Sequence, residues 1–360
     1  MLVHICCSVD SHYFLQRLRQ ELPDEPLVGY FYDPNIHPYS EYMLRYLDVR
    51  RSCEKLGVEL ILGEYDYEAW LAGTKGLENE PEKGARCAYC FDFRVGNSAK
   101  IAQEMGHTSI TTTLLMSPKK DFAQLKSALD KAVAGTSIKP YAVDFRTGGG
   151  TNEQFAMAKR EQLYHQNYCG CIFALSKQRQ AQKLPAVELA SELYGRTLPG
   201  SIEARLELYE RVRELEGQGE RFRLSRRSFL NYRLLRGLVR RDGTSVPSYF
   251  MLYSNFKRHF MKLGLKSEQI YDGASEVLAN GVIFLSLNKF NALLGREYAD
   301  VMGLCKAPPS VDDELALRRK IAGEYSLNPI IILPSLIPAK HEIVAYSELY
   351  EDSCEVLGLV

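Results

Sequence analysis

Six of the nine cysteines fall into three tight pairs, Cys6–Cys7, Cys87–Cys90 and Cys169–Cys171, while Cys53, Cys305 and Cys354 stand alone. The odd total argues against a complete disulfide framework, and the isolated three read as packed or surface thiols. Compact pairing is how chains build metal sites. A Cys-x-x-Cys such as Cys87–Cys90 serves zinc, clusters or dithiol exchange, and Cys169-x-Cys171 is tighter. Adjacent side chains such as Cys6 and Cys7 diverge on most backbones, which suits more than one metal centre better than a single tetrahedral ion. Four thiolates saturate a zinc ion or a cubane cluster, and six leave about two for a second metal or an open position. Asp10 follows Cys7 by three residues. Its carboxylate is a good ligand for iron beside a cluster and equally a preferred helix cap. At this point a structural zinc site, a dithiol redox site and a cluster with an extra metal all remain open.

These residues need a scaffold. Leu2–Ile5, Leu27–Tyr32, Val58–Leu62, Ser109–Leu115 and Tyr141–Val143 read as strands, and His12–Leu22, Tyr39–Leu56, Phe122–Val133 and Glu153–Tyr164 as helices. Alternation of this sort predicts a parallel sheet with helices on its faces, with ligands beyond the carboxyl ends of the strands. Cys6 and Cys7 directly follow the first strand, at that edge. Residues 1–180 form one expected domain. Gln180–Gly200, with Pro185 and Pro199, reads as a connector, and a helix follows on Ile202, Leu206, Tyr209, Val212 and Leu215. Val282–Leu287 and Ile330–Leu333 are strand candidates, so residues 181–360 form a second domain, mixed α/β or mostly helical.

Net charge is zero, so no global field draws the chain to nucleic acid, and such a partner would need a local basic patch. Arg221, Arg223, Arg226, Arg227, Arg233, Arg236, Arg240 and Arg241 run without an acidic residue among them, whereas a solvated helix face is the ordinary meaning of such a run. No apolar run approaches the roughly 18 residues of a membrane span, and Met1–Cys7 lacks the basic start of a signal peptide. With cysteines that are paired but not in a disulfide framework, the expectation is a cytoplasmic protein.

Several segments resemble the QueH-type epoxyqueuosine reductases, in family order over residues 1 to about 180. They are Leu2-Val-His-Ile-Cys-Cys7, Phe31-Tyr-Asp-Pro-Asn-Ile-His-Pro38, Glu82-Lys-Gly-Ala-Arg-Cys-Ala-Tyr-Cys90, Thr111-Thr-Thr-Leu-Leu-Met-Ser-Pro-Lys119, Asp144-Phe-Arg146 and Leu163-Tyr-His-Gln-Asn-Tyr-Cys-Gly-Cys171. The departures are Ser8 and Val9 in place of Ala-Pro, and His165 where arginine is common. The resemblance implies reduction of epoxyqueuosine to queuosine in tRNA, by a [4Fe–4S] cluster with an adjacent mononuclear iron. It also implies Cys6, Cys7, Cys87, Cys90, Cys169 and Cys171 as metal ligands, with Asp10 on the extra iron.

Under that reading the partners are tRNA carrying epoxyqueuosine at the wobble position and a low-potential electron donor. Tyr89, Tyr168 and His37 are proton-donor candidates by proximity or motif membership. The arginine run, with Lys119 and Lys120, is the candidate tRNA patch. Two rival readings stand beside it. Ser8-Val-Asp-Ser11 resembles the end of the ATP-pyrophosphatase loop, which implies a shared nucleotide-hydrolase-like (PP-loop, HUP-like) fold and, in the rival, thiolase-type tRNA modification. There, however, glycine amides cradle pyrophosphate, and here Cys6 and Cys7 replace the glycines. A non-enzymatic, zinc-stabilised tRNA-binding protein is the second rival.

Overall fold

The computed structural model describes residues 1–189 and 196–360. They divide into two compact units: residues 1–186, 205–225 and 356–360, and residues 187–204 and 226–355. The break therefore does not fall once at 180, because a helix from residue 202 onward and the chain's last residues belong mostly to the first unit.

The first unit is built on strands β1 (Leu2–Ile5), β2 (Val28–Phe31), β3 (Glu59–Leu62), β4 (Ser109–Thr112) and β5 (Lys139–Pro140), all parallel, in the order β3-β2-β1-β4-β5. This is the order of doubly wound parallel α/β sheets, as expected. β1 is buried along its whole length, as a central strand covered on both faces must be. Within it His4 is held between the Thr112 hydroxyl (2.7 Å) and the Tyr32 carbonyl (3.1 Å). Burial, with Arg94 nearby, keeps this imidazole well below its ordinary pKa, so it stitches three strands as a neutral ring.

The helices of this unit are α1 (Ser8–Glu21), α2 (Tyr39–Leu56), α3 (Tyr67–Gly73), α4 (Ala85–Glu104), α5 (Phe122–Ala132), α6 (Gly150–Arg160), α7 (Ile172–Gln182) and α8 (Ile202–Gln218). α1 packs against α2 and α6, and α4 along α5. α3, α4 and α7 have no counterpart in the sequence reading. On α4 the inner face carries Arg86, Arg94 and Ser98 among its buried residues, so the apolar period is masked. Smaller differences have local causes. The strand at Ser109 ends at Thr112, whose side chain accepts from the Leu114 amide and starts a 3₁₀ turn over Thr113–Met116. The last strand is Lys139–Pro140 and not Tyr141–Val143. Of the expected connector, 180–182 lie in α7 and 190–195 fall outside the described residues.

In the second unit the long β6 (Phe222–Arg241), which begins in the first, turns back through β7 (Thr244–Val246). β8 (Tyr249–Phe250), β9 (Phe260–Leu265), β10 (Ile270–Tyr271), β11 (Ala274–Ser275) and β12 (Ile283–Ser286) follow. Then come α9 (Leu287–Leu294), α10 (Val301–Lys306), α11 (Val311–Ala322), β13 (Ile330–Leu333) and β14 (Ala339–Leu359). Two sheets result, a mixed one in the order β10-β11-β12-β13-β8 and a second in the order β7-β6-β14-β9. The unit is thus mixed α/β. The arginine run, whose ordinary reading is a helix face, is a strand; its partner β14 lies about a hundred residues on, beyond the reach of any local pattern. Among the described residues no helix is long and apolar enough to cross a membrane.

Candidate functional site

Cys6 and Cys7 lie where β1 stops and α1 begins, and Cys7 is the N-cap residue. Asp10 is therefore in the first turn of α1 and is not its cap, which leaves the carboxylate for other work. Cys6 Sγ is 3.8 Å from Cys7 Sγ and 3.8 Å from Asp10 Oδ2. One ligand atom from each of the three can lie within 4.8 Å of the others. Gln154, fully buried on α6, donates from Nε2 to Asp10 Oδ1 at 2.6 Å, which holds one carboxylate oxygen and leaves the other toward Cys6. Desolvation raises the Asp10 carboxyl to about 6, against hydrogen bonds from Cys7 and Gln154. The Cys7 thiol is raised well above the usual range by the Cys6 contact, then by burial and by Asp10. A Cys7 thiol and an Asp10 carboxyl that are both pushed away from their ionised forms make a site that a cation would relieve, and sulfur with oxygen donors fits iron.

The other two pairs share a second cavity, lined by Cys87, Cys90, Cys169 and Cys171 with Trp70, Phe91 and Ala174 among its walls. Cys87 and Cys90 sit at i and i+3 in the first turns of α4, which puts them on one side of the helix. The amide of Lys83 donates to Cys87 Sγ at 3.3 Å. Cys171 is the N-cap of α7. Between Cys169 and Cys171, Gly170 has φ +109, and a Cβ there would lie 2.8 Å from Ile36 and 3.2 Å from the Arg45 guanidinium. Only glycine makes this turn in this space. Arg45, paired with Glu41 at 2.8 Å, donates to the carbonyls of Tyr168 (3.0 Å) and Cys169 (3.2 Å) and so fixes the loop.

Electrostatics separates Cys169 from Cys90 and Cys171. Burial raises Cys171 to about 12, with Cys169 adding to the effect, and burial raises Cys90 too. Burial alone would raise Cys169 as well, but the Lys120 ammonium 3.0 Å away, with Arg94 and Arg45, outweighs it and holds this thiol below its usual range. Lys120 in turn is held charged, chiefly by Cys169. Lys120, half-buried, thus faces Cys169 and lines one open cavity with the exposed Lys119. Arg94 forms an ion pair with Asp33, whose carboxyl desolvation raises to about 6.

Another cavity, open, joins these features. Its walls include Cys6, Asp10, Asp33, Lys119, Asn167 and Cys169. Of the proton-donor candidates only Tyr168 lines it, and that hydroxyl donates to the His37 carbonyl at 2.7 Å. Tyr89 lines neither cavity, and its hydroxyl is 3.4 Å from the Trp70 carbonyl. His37 also lies outside both linings, stacked on Tyr67 at 4.9 Å. The arginines of β6 divide likewise. Arg223, Arg226, Arg227, Arg236 and Arg240 are exposed, as is Arg221 just before the strand, and Arg241 is half-buried against the Ser335 carbonyl. Arg233 is buried, bonded to Asn231 and to the Tyr232 and Pro199 carbonyls, and is removed from any docking patch. Sequence reasoning missed Gln154, Arg94 and Arg45; Arg94 alone left a signal, one turn after Cys90 on the same helix.

Comparison with known proteins identifies the family. The sequence model of the family described as epoxyqueuosine reductase QueH matches residues 1–177. An epoxyqueuosine reductase QueH of Helicobacter pylori is 38% identical over 345 residues, 92% of this chain and 93% of its own. Those of Histophilus somni (34%, covering 54% of this chain and 81% of its own) and Thermotoga maritima (31%, 50% and 92%) match about half of this chain. Among solved structures, the U34-tRNA thiolase NcsA of Methanococcus maripaludis with its [4Fe-4S] cluster aligns at 18% identity and a TM-score of 0.33. It covers 59% of this chain and 73% of its own, a superposition too loose to support comparison. Identity sustained across nearly the whole of both chains, including the second unit, makes this protein a member of the QueH family.

Proposed function

We propose that this chain reduces epoxyqueuosine to queuosine in tRNA, with the carboxyl edge of its parallel sheet as the active site. The observation that carries the reading is the convergence, in a QueH family member, of Cys6, Cys7 and Asp10 on one point beside a cavity walled by the other four paired cysteines. The donor sets fit the groups the family implies. Cys6, Cys7 and Asp10 would hold a mononuclear iron, and Cys87, Cys90, Cys169 and Cys171 would hold a [4Fe–4S] cluster. When bound, these groups supply Lewis acidity and one-electron transfer from a low-potential donor.

The remaining work falls to the chain itself. Gln154 fixes the carboxylate of Asp10, as partners of metal ligands do. Lys120, Arg94 and Arg45 offset thiolate charge in a buried setting. The open cavity lined by Asp33, Asn167 and Lys119 receives the modified nucleoside, unstacked from the anticodon loop. Overall the epoxide takes up two electrons and two protons, becomes an alkene, and releases its oxygen as water. The exposed arginines of β6 supply attraction for tRNA phosphates. The reaction places the protein in the cytoplasm with its substrate.

The test is iron and acid-labile sulfide content on anaerobically purified protein, followed by an assay on epoxyqueuosine tRNA with a chemical reductant. More than about four irons per chain, a broad visible band and product formation are expected. Colourless protein holding only zinc after reconstitution with iron and sulfide would overturn the reading.

A further inference from the structure

The sheet β7-β6-β14-β9 of the second unit has one face in the core and one in solvent. Along β9, Met261, Leu263 and Leu265 are buried, while Phe260, Lys262 and Gly264 alternate with them outward. The register pairs Phe260 with Val344, Lys262 with Glu342 and Gly264 with Lys340, so these β14 residues share the outward face. Ile343 and Ala345 point into the core with Val239 of β6. A Cβ at Gly237 would lie 2.7 Å from Phe250, a core ring, so the odd positions of this stretch of β6 face inward. Arg236 and Arg240 therefore face outward, and Arg241 meets His341 at the junction of β6 and β14.

The outward face is consequently a composed surface. Arg240, Glu342 and Lys262 form one row, in which Lys262 holds the carboxylate at 2.9 Å. Phe260, 49% exposed, lies under the Lys262 ammonium at 5.6 Å. Tyr346, 40% exposed, stacks on His259 with ring centroids 4.2 Å apart and planes 10° from parallel. Lys257 and Arg258 are exposed just before β9. Exposed aromatic rings are poor neighbours for water, and here they sit among more cations than carboxylates, with Glu342 paired to Lys262 and Glu348 exposed two residues beyond Tyr346. Rings that offer a π-face within a positive field are what unpaired nucleotides bind, with bases on the rings and phosphates on the cations.

We propose that this face of the second unit is a binding platform for an unpaired RNA segment, with Tyr346–His259 and Phe260 as base-stacking positions and Arg236, Arg240 and Lys262 as phosphate contacts. The inference deepens the tRNA reading and rests on it for the identity of the RNA. It differs from a bare arginine patch in requiring the aromatic side chains.

The test uses the full chain and fluorescence anisotropy with two probes, a labelled single-stranded oligouridylate and a hairpin duplex without overhangs, each over a salt series. The variants are Tyr346→Ala with Phe260→Ala, and Arg236→Glu with Arg240→Glu, each checked for unchanged circular dichroism and melting temperature. Loss of about ten-fold in oligouridylate affinity in the aromatic variant, with the salt slope kept, is expected. A lower salt slope is expected in the arginine variant. Equal affinity of wild type and aromatic variant for the single strand would overturn the platform, as would a preference for the duplex, or a loss confined to self-association in sedimentation. Turnover by the wild-type enzyme on an epoxyqueuosine stem-loop separates the two ideas. If that turnover is present while the variants bind normally, the platform alone fails; if it is absent, the reductase reading fails whatever the binding results.

Discussion

Arginine does two different jobs in the two units. At the edge of the parallel sheet Arg45, Arg51 and Arg94 are buried, and each has a carboxylate against it: Glu41, Asp48 and Asp33. Their remaining donors go to fixed points, as when Arg45 binds the carbonyls beside Cys169. Out of water such a charge is costly unless fully paired, so these residues lock geometry. On the outer sheet of the second unit Arg236 and Arg240 stay in solvent, where a pair contributes little and salt screens it. The buried set makes the first site rigid and intolerant of change. The exposed set leaves the second surface tolerant and felt only by a charged partner.

Substitutions can break or sharpen this contrast. Asp10→Ala should keep the cluster's visible band yet lower turnover by about a thousandfold or more, the several kcal/mol that a bound metal ion contributes; unchanged kcat would remove Asp10 from the iron. Arg94→Leu leaves Asp33 buried without its partner and should cost about 3–4 kcal/mol in urea unfolding. The pH dependence adds a sign. The Asp33 carboxyl is raised from 3.8 to about 6, so folding favours its protonated form. That contribution is complete below about 3.8 and is lost as pH rises through about 6. The melting temperature of metal-free Asp33→Asn, relative to wild type, should therefore climb between those values; a flat difference would refute the burial argument. Gln154→Leu should weaken iron retention about 10- to 100-fold at constant cluster absorbance, read by dialysis against a chelator. Smallest of all, Arg240→Ala should change stability by no more than about 0.5 kcal/mol and lower the salt slope of tRNA binding by about one.

Where side-chain pattern reports burial directly, the elements were legible. Leu2–Ile5, Tyr39–Leu56 and Ile330–Leu333 have the bounds their apolar periods predict. Pattern failed where polar groups are buried or partners are distant. α4 hides Arg86 and Arg94 on its inner face, and β6 finds its partner β14 only about a hundred residues later. The paired cysteines announced ligand chemistry, but pairing along the chain says nothing about which thiols meet.

By itself, then, the sequence determined the three cysteine pairs, the placement of Cys6 and Cys7 at the end of the first strand, and the family, because those depend on residue identity and short spacing. Tertiary structure alone decided that Asp10 stands with Cys6 and Cys7 while the other four thiols line a separate cavity. It decided as well that Lys120 turns to Cys169 and that Arg233 turns inward while Arg236 stays out. Contacts across more than a hundred residues, such as Gln154 on Asp10, arise from packing of whole elements, and no local period encodes them.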